Sequence, residues 1–206
     1  MNKGYDMIII GLCGNSGSGK GYVCGRFAAF GVAFIDTDKV YRERVLNNPS
    51  CVSELTACFG NGILSNGEVS KKALAALVFS GERANERLSN LNKITHKYIK
   101  TETEKLILQY ESEGYPAVLV DAPVLFESGF DSMCHVTVCV TATLEEKLER
   151  ILKRDGIDRQ SALARLATQL TEDELRARCT YEINNSVGSD VDGQILDILK
   201  DLGIEK

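Results

Sequence analysis

This sequence lacks an excess of basic residues, a paired-cysteine motif and an apolar run of membrane length. Lysine and arginine number 24 against 29 aspartates and glutamates, for a net charge of -5. A protein that binds nucleic acid broadly needs a basic face to neutralise phosphates, so that class is disfavoured, while a local basic pocket for one small polyanion stays open. The seven cysteines, at 13, 24, 51, 58, 134, 139 and 179, are odd in number and scattered, with no CxxC pair and no Cys/His cluster. They are expected to be reduced, small apolar residues and neither disulfides nor zinc ligands. Met1 to Asp6 lead directly into the first apolar run without a signal-peptide core, so neither an anchor nor export is expected, and the expected location is cytoplasmic. Internal repeats and low-complexity tracts are also missing. What is there, 206 residues of which 44% are hydrophobic and 26% charged, suits one soluble α/β domain with insertions.

The organising stretch is Met7 to Lys20, an apolar run that breaks into glycines and meets a lysine. Gly14 to Lys20 fits the GxxxxGK core of a phosphate-binding loop, with Gly14, Gly17 and Gly19 where the backbone must curl and present successive N–H groups. The β-type run Met7 to Leu12 precedes it and a helix-like segment, Tyr22 to Phe30, follows, which is the context the motif demands. The amides of Gly14, Asn15, Ser16, Gly17, Ser18 and Gly19, the positive helix end and the Lys20 ammonium are thus expected to hold a nucleotide polyphosphate, with Gly21 and Tyr22 adjoining. One residue departs from the pattern. The position after the lysine is ordinarily Ser or Thr, whose hydroxyl ligates Mg²⁺, and here it is Gly21, which weakens the metal site and not the phosphate cradle.

Gly31 to Ile35 reads as a second strand after a helix-ending glycine, giving the strand–helix–strand unit of a parallel sheet, and it ends in Asp36-Thr37-Asp38. From Lys39 to about Gly114 the pattern turns helical and loses β character, with Gly60-Asn61-Gly62 and Ser65-Asn66-Gly67 as punctuation and Ala84 to Tyr110 helical in one piece or two. That span is too long for a plain crossover and predicts a helical subdomain suited to an acceptor. Strands return at Pro116 to Asp121, with an acid where a Walker B aspartate sits, and at His135 to Val140. Thr143 to Arg154 predicts an amphipathic helix with a Thr143/Glu146 capping box. Asp158 to Gln169 and Thr171 to Arg178 predict short helices, Tyr181 to Asn184 a last strand and Asp190 to Leu202 a closing helix.

Phosphoryl transfer needs a nucleotide cradle, a metal, cations over developing charge and a group that orients the attacking oxygen. Lys20 and the loop supply the first. Asp36, Asp38 and Asp121 are strand-end carboxylates expected to converge near the loop, although such acids also serve as helix caps. Arg150, Arg154, Arg159, Arg165, Arg176 and Arg178 crowd a late helical stretch, and on amphipathic helices most such residues form a solvated face. His96 reads by itself as a packed or surface histidine.

In order, "GLCGNSGSGKG", "GVAFIDTDKVYRE", "ITHKYI", "VLVDAPVLFESGF", "VTVCVTATLEEKLERILKRDG", "ALARLATQ" and "YEINNS" resemble the dephospho-CoA kinase family over roughly residues 7 to 190. The resemblance implies an α/β P-loop NTPase fold: a five-stranded parallel sheet flanked by helices (core about 7–38, 115–150 and 179–206), a helical substrate-binding insertion (about 39–114) and a helical lid (about 151–178). It implies transfer of a phosphoryl group from ATP, with Mg²⁺, to the ribose 3′-hydroxyl of dephospho-CoA, the last step of coenzyme A biosynthesis. Asp38 would be the base, and Asp38 and Asp121 the carboxylates for metal. Lys20, Arg150 and Arg154 would act on phosphates, and Asn185 would lie near adenine. His96, Asp121, Pro123, Leu125, Phe126 and Glu127 would line the acceptor. Besides Gly21, the sequence departs from the family at Lys97, where proline is frequent, at Leu175, often lysine, and at Cys179-Thr180, commonly Ala-Asp. Rival readings are a P-loop kinase for another small acceptor, such as a nucleoside or nucleotide, and a nucleotide-binding protein whose catalysis is impaired by Gly21. A regulatory GTPase is disfavoured because Asn92-Lys93-Ile94-Thr95 lacks the aspartate that reads guanine and comes too early in the chain. A monomer is expected.

Overall fold

A computed structural model describes residues 6–204. In chain order, strand β1 (Ile8–Cys13) feeds the glycine loop, helix α1 (Lys20–Ala29) and strand β2 (Ala33–Asp36). Helix α1 begins at Lys20, two residues before the expected Tyr22, because Gly19 in a left-handed conformation already turns the chain into the helix. Helix α2 (Thr37–Val40) runs into a π-helical turn, Tyr41–Val45, and is followed by α3 (Pro49–Phe59), strands β3 (Leu64–Ser65) and β4 (Glu68–Val69), and helices α4 (Lys71–Val78) and α5 (Ala84–Ser112). The chain then gives β5 (Ala117–Asp121), β6 (Val136–Thr141), α6 (Leu144–Asp155), α7 (Arg159–Ala167), α8 (Glu172–Arg178), β7 (Tyr181–Asn184) and α9 (Val191–Asp201).

Two compact units emerge, Met1–Ile35 with Leu108–Lys206, and Asp36–Ile107. The first is built on a five-stranded parallel sheet of order β2-β5-β1-β6-β7. Its strands are near-continuous apolar runs, as expected of a sheet covered on both faces: Ile9, Ile10, Leu12, Val118, Leu119, Val138 and Ile183 are all fully buried. Ile10, Leu12, Leu119 and Val140 share one core with Phe27 of α1 and with Ile195 and Leu199 of α9. Each such large side chain contributes roughly 1.5–3 kcal/mol on burial, so the stability of the sheet holds the loop after β1 in place. Arg26 of α1 clasps Asp192 of α9 with two hydrogen bonds, at 2.6 and 2.5 Å.

The second unit is mostly helical, and α5 is a single uninterrupted helix. The expectation that this region carries no β structure is corrected by the β3–β4 hairpin, which pairs Leu64 with Val69 and Ser65 with Glu68. Its turn residues Asn66 and Gly67 both adopt positive φ, 53° and 83°, the conformation an Asn-Gly hairpin turn requires. Within this unit Glu54 of α3 receives hydrogen bonds from Lys97 (2.5 Å) and Tyr98 (2.7 Å) of α5, fixing those two helices together.

Candidate active site

In a parallel α/β sheet, ligands bind beyond the carboxyl ends of the strands. Here the ends of β1 and β5 are neighbours, with Leu12 opposite Asp121, and β6 flanks β1 on the other side with Cys139 opposite Cys13. From the end of β1 the chain makes a tight loop that cannot tolerate side chains at two of its glycines. A Cβ on Gly17 would lie 2.4 Å from the Lys147 carbonyl oxygen, and one on Gly19 would lie 2.1 Å from Asn185 Nδ2. Both residues also hold positive φ, 78° and 89°.

The loop is braced from outside. Arg150 of α6 donates to the carbonyls of Gly17 (3.1 Å), Ser18 (3.1 Å) and Asn185 (2.8 Å), and Asn185 Nδ2 donates to Ser18 O at 2.8 Å. With the Gly17 and Ser18 carbonyls drawn outward in this way, the loop's amides other than those of Ser16 and Ser18, which bond to Gln169 Oε1 and Asn15 O, are left for its concave side. The amides of Lys20 and Gly21, in the first turn of α1, have no helical acceptor, and the positive end of the helix dipole adds to them. Lys20 Nζ rests on Gly14 O at 3.1 Å. The arrangement is a ready anion cradle.

Two cavities adjoin it. One, of about 450 Å³, is lined by Gly19, Tyr22, Arg150, Asn185, Ser186, Val187, Ser189 and Val191. The other is lined by Cys13, Gly14 and Asn15, by residues 123–127, by Thr168 to Leu170 and by Leu175. It thus gathers Pro123, Leu125, Phe126 and Glu127 beside the loop. Leu125 is 1% exposed and belongs largely to the core. Asp121 also faces α1: Cys24 Sγ lies 3.9 Å from its Oδ2, and Lys20 is one helical turn before Cys24 on the same side.

The acids after β2 divide their roles. Asp36 caps α2 by accepting from the Lys39 N–H at 2.9 Å and sits 3.9 Å from Arg42. The Asp38 side chain, exposed in the first turn of α2, has no hydrogen-bond or ion-pair partner among the described residues. Both, like the half-buried His96 on α5, belong to the second unit. Burial pulls the His96 pKa below its ordinary value, so the ring is neutral near pH 7.

Most of the late arginines are spent on carboxylates. Arg154 pairs with Asp155 at 2.7 Å, Arg159 with Glu145 at 2.7 Å, Arg165 with Asp155, and Arg176 with Asp173 and Glu182 at 2.9 Å each. Among the described residues Arg154 has no hydrogen bond to the loop, whereas Arg150 has two. Arg178 stacks over the Phe126 ring, 5.6 Å from its centroid. Gln169 is not singled out by any motif, yet its Oε1 accepts the Ser16 N–H at 2.9 Å while its Nε2 donates to Ser16 Oγ at 3.3 Å, with Asn15 bonded to the adjacent Leu170 O at 2.9 Å. These contacts bridge more than 150 residues, and no local signal announces them.

Leu175, where a lysine is frequent in the resembling family, is buried. A Cβ on Gly21 would meet no atom within 4 Å, so the missing hydroxyl reflects the residue and not a crowded backbone.

Comparison with known proteins agrees with this geometry. The dephospho-CoA kinase family profile matches residues 8–190. The dephospho-CoA kinase of Dehalococcoides mccartyi is 35% identical over 181 residues, covering 87% of this chain and 89% of that protein. The dephospho-CoA kinase of Saccharomyces cerevisiae is 34% identical over 201 residues, covering 94% and 82%. A Thermus thermophilus protein of known crystal structure superposes with a TM-score of 0.77 at 32% identity, covering 95% of this chain and 97% of that one. A phosphate-binding loop on a five-stranded parallel sheet, matched by a family profile over nearly its whole length, makes this chain a member of the dephospho-CoA kinase family.

Proposed function

We propose that the protein transfers the terminal phosphoryl group of ATP to the ribose 3′-hydroxyl of dephospho-CoA, giving coenzyme A in the cytoplasm, as a monomer that binds neither nucleic acid nor membrane. Among the described residues no helix is long and apolar enough to cross a membrane. The observation that carries the reading is the family match from residue 8 to 190 over a chain whose phosphate cradle is intact.

The loop amides and Lys20 bind the donor's phosphates, and Lys20 leaves Gly14 O to do so. Arg150 acts chiefly by shaping the loop, because its guanidinium is engaged by three backbone carbonyls. The cavity beside Tyr22, Asn185 and Val187 takes the adenosine end. Pro123, Phe126 and Glu127 line the acceptor's place, and His96, whose burial lowers its pKa, offers the acceptor a neutral ring. Asp38 orients the 3′-hydroxyl and accepts its proton as the oxygen attacks. Asp36 cannot do this while it caps α2, but Asp38 is unengaged. Arg154 joins the phosphates only if it parts from Asp155.

Among the described residues no three His, Cys, Asp or Glu side chains gather as a cage for an ion. Magnesium carried in on phosphates needs only one or two protein carboxylates. Asp121, beside Lys20's face of α1, and Asp38 would provide them, and the ion would neutralise charge on the transferring group.

Acceptor competition tests the assignment. With ATP and Mg²⁺, dephospho-CoA should gain one phosphoryl group at the 3′ position and outcompete nucleosides and nucleotides. Preferential phosphorylation of a nucleoside would overturn it in favour of another acceptor.

A further inference from the structure

Cys13 closes β1 and directly precedes Gly14, and Cys179 joins α8 to β7. These residues, 166 positions apart in sequence, bring their Sγ atoms to 3.5 Å. A third thiol, Cys139, lies on β6 opposite Cys13 and donates to the Tyr181 carbonyl at 3.6 Å. Two thiols this close share a chemistry open to small oxidants, the formation of a disulfide.

We propose that Cys13 and Cys179 form an oxidisable dithiol, a modification site at which hydrogen peroxide or an organic hydroperoxide produces a disulfide that slows phosphoryl transfer. In the first step one sulfur attacks the peroxide, the O–O bond breaks, and a sulfenic acid forms with release of water (or of the alcohol, from a hydroperoxide). In the second step the other sulfur attacks the sulfenic sulfur. The S–S bond forms, the S–O bond breaks and a second water leaves, so the two thiols together give up two electrons to one peroxide. The sulfurs must close from 3.5 Å to a bonded distance of about 2.05 Å.

Access is from the Cys179 side, since Cys13 is buried. Cys13 lines the cavity it shares with Gly14, Asn15 and Leu175, and Cys179 is only half-buried. The hydrogen bond with Cys13, aided by burial, pushes the Cys179 thiol up to about 12. Cys179 is therefore protonated and slow to react in the resting protein, and modification calls for sustained oxidant. The crosslink would tie the residue that leads into the phosphate loop to the trailing end of the α7–α8 segment. Turnover in such enzymes depends on segments of this kind closing and reopening, so the tie acts as a brake.

The test treats the purified protein with hydrogen peroxide, alkylates the remaining thiols and maps the peptides, with turnover of ATP and dephospho-CoA measured in parallel. The expected result is a peptide pair linked through Cys13 and Cys179, a rate lowered about tenfold, and recovery with dithiothreitol. Cys179→Ser should keep the untreated rate and lose the sensitivity. Absence of that linked pair, formation of the disulfide with no change in rate, or equal peroxide sensitivity in Cys179→Ser would each overturn the proposal. Peptide mapping reads the linkage whatever the acceptor proves to be.

Discussion

Gly17 and Gly21 stand four residues apart and make opposite demands. At Gly17 an added methyl would meet the backbone of α6 in a conformation that L residues avoid. Gly17→Ala should cost roughly 1–3 kcal/mol of stability and weaken ATP binding, both readable from thermal melts with and without nucleotide. At Gly21 the added atoms enter open space. Gly21→Ser should fold normally, gain a few tenths of a kcal/mol in helix propensity and lower the Mg²⁺ concentration needed for half-maximal turnover. An unchanged magnesium requirement would show that the hydroxyl has no part in this site. The cradle was legible in the sequence because glycines and a lysine at fixed spacing after a β-type run have few other uses. The partners of the arginines were not, since each is chosen by tertiary placement. Arg150 alone among the six reaches the loop's backbone, and Gln169 reaches Ser16 from more than 150 residues away.

Among the elements, α6 carries the most testable detail. Its capping box is complete, with Thr143 Oγ1 accepting from the Glu146 N–H and Glu146 accepting from the Thr143 N–H. Thr143→Ala should cost about 1 kcal/mol and lower the melting temperature by about 2–4 °C. Glu146 also accepts from the Val187 N–H at 2.5 Å, tying the helix to the wall of the Tyr22 cavity. The Thr143 hydroxyl and then the Val187 amide hold its carboxyl down to about 2. Its folded value lies below the ordinary one of about 4.3, so its contribution is complete above that value and is lost as pH falls towards 2. The stability gap between the parent and Glu146→Gln should therefore be open at pH 7 and close between about pH 4 and 2 in acid titrations. This helix was readable to its cap because Thr-x-x-Glu before an amphipathic run has a local mechanism. The β3–β4 hairpin was missed in a region that otherwise reads as helical, since each of its strands has only two residues and shows no alternation. Asn66-Gly67 was its one available signal, and it passed for a break between helices.

At the scale of the whole molecule, the family match and the parallel sheet agree on what the chain is built to do, and the division of labour among its acids gives that reading a sharp point. The sequence put aspartates at the ends of β2 and β5, but only the folded chain separates Asp36, which caps α2, from Asp38, whose side chain has no partner among the described residues. An account in which Asp38 accepts the proton predicts that Asp38→Ala leaves ATP affinity and thermal stability near those of the parent while turnover falls by about 10²–10⁴. The most direct measurement is ADP release by the purified protein with ATP, Mg²⁺ and dephospho-CoA, beside the Asp38→Ala variant. Turnover that requires dephospho-CoA and collapses in the variant is the predicted result. ATP bound without any acceptor-dependent turnover in the parent protein would contradict the account and make Gly21 the mark of a nucleotide-binding protein that has lost its catalysis.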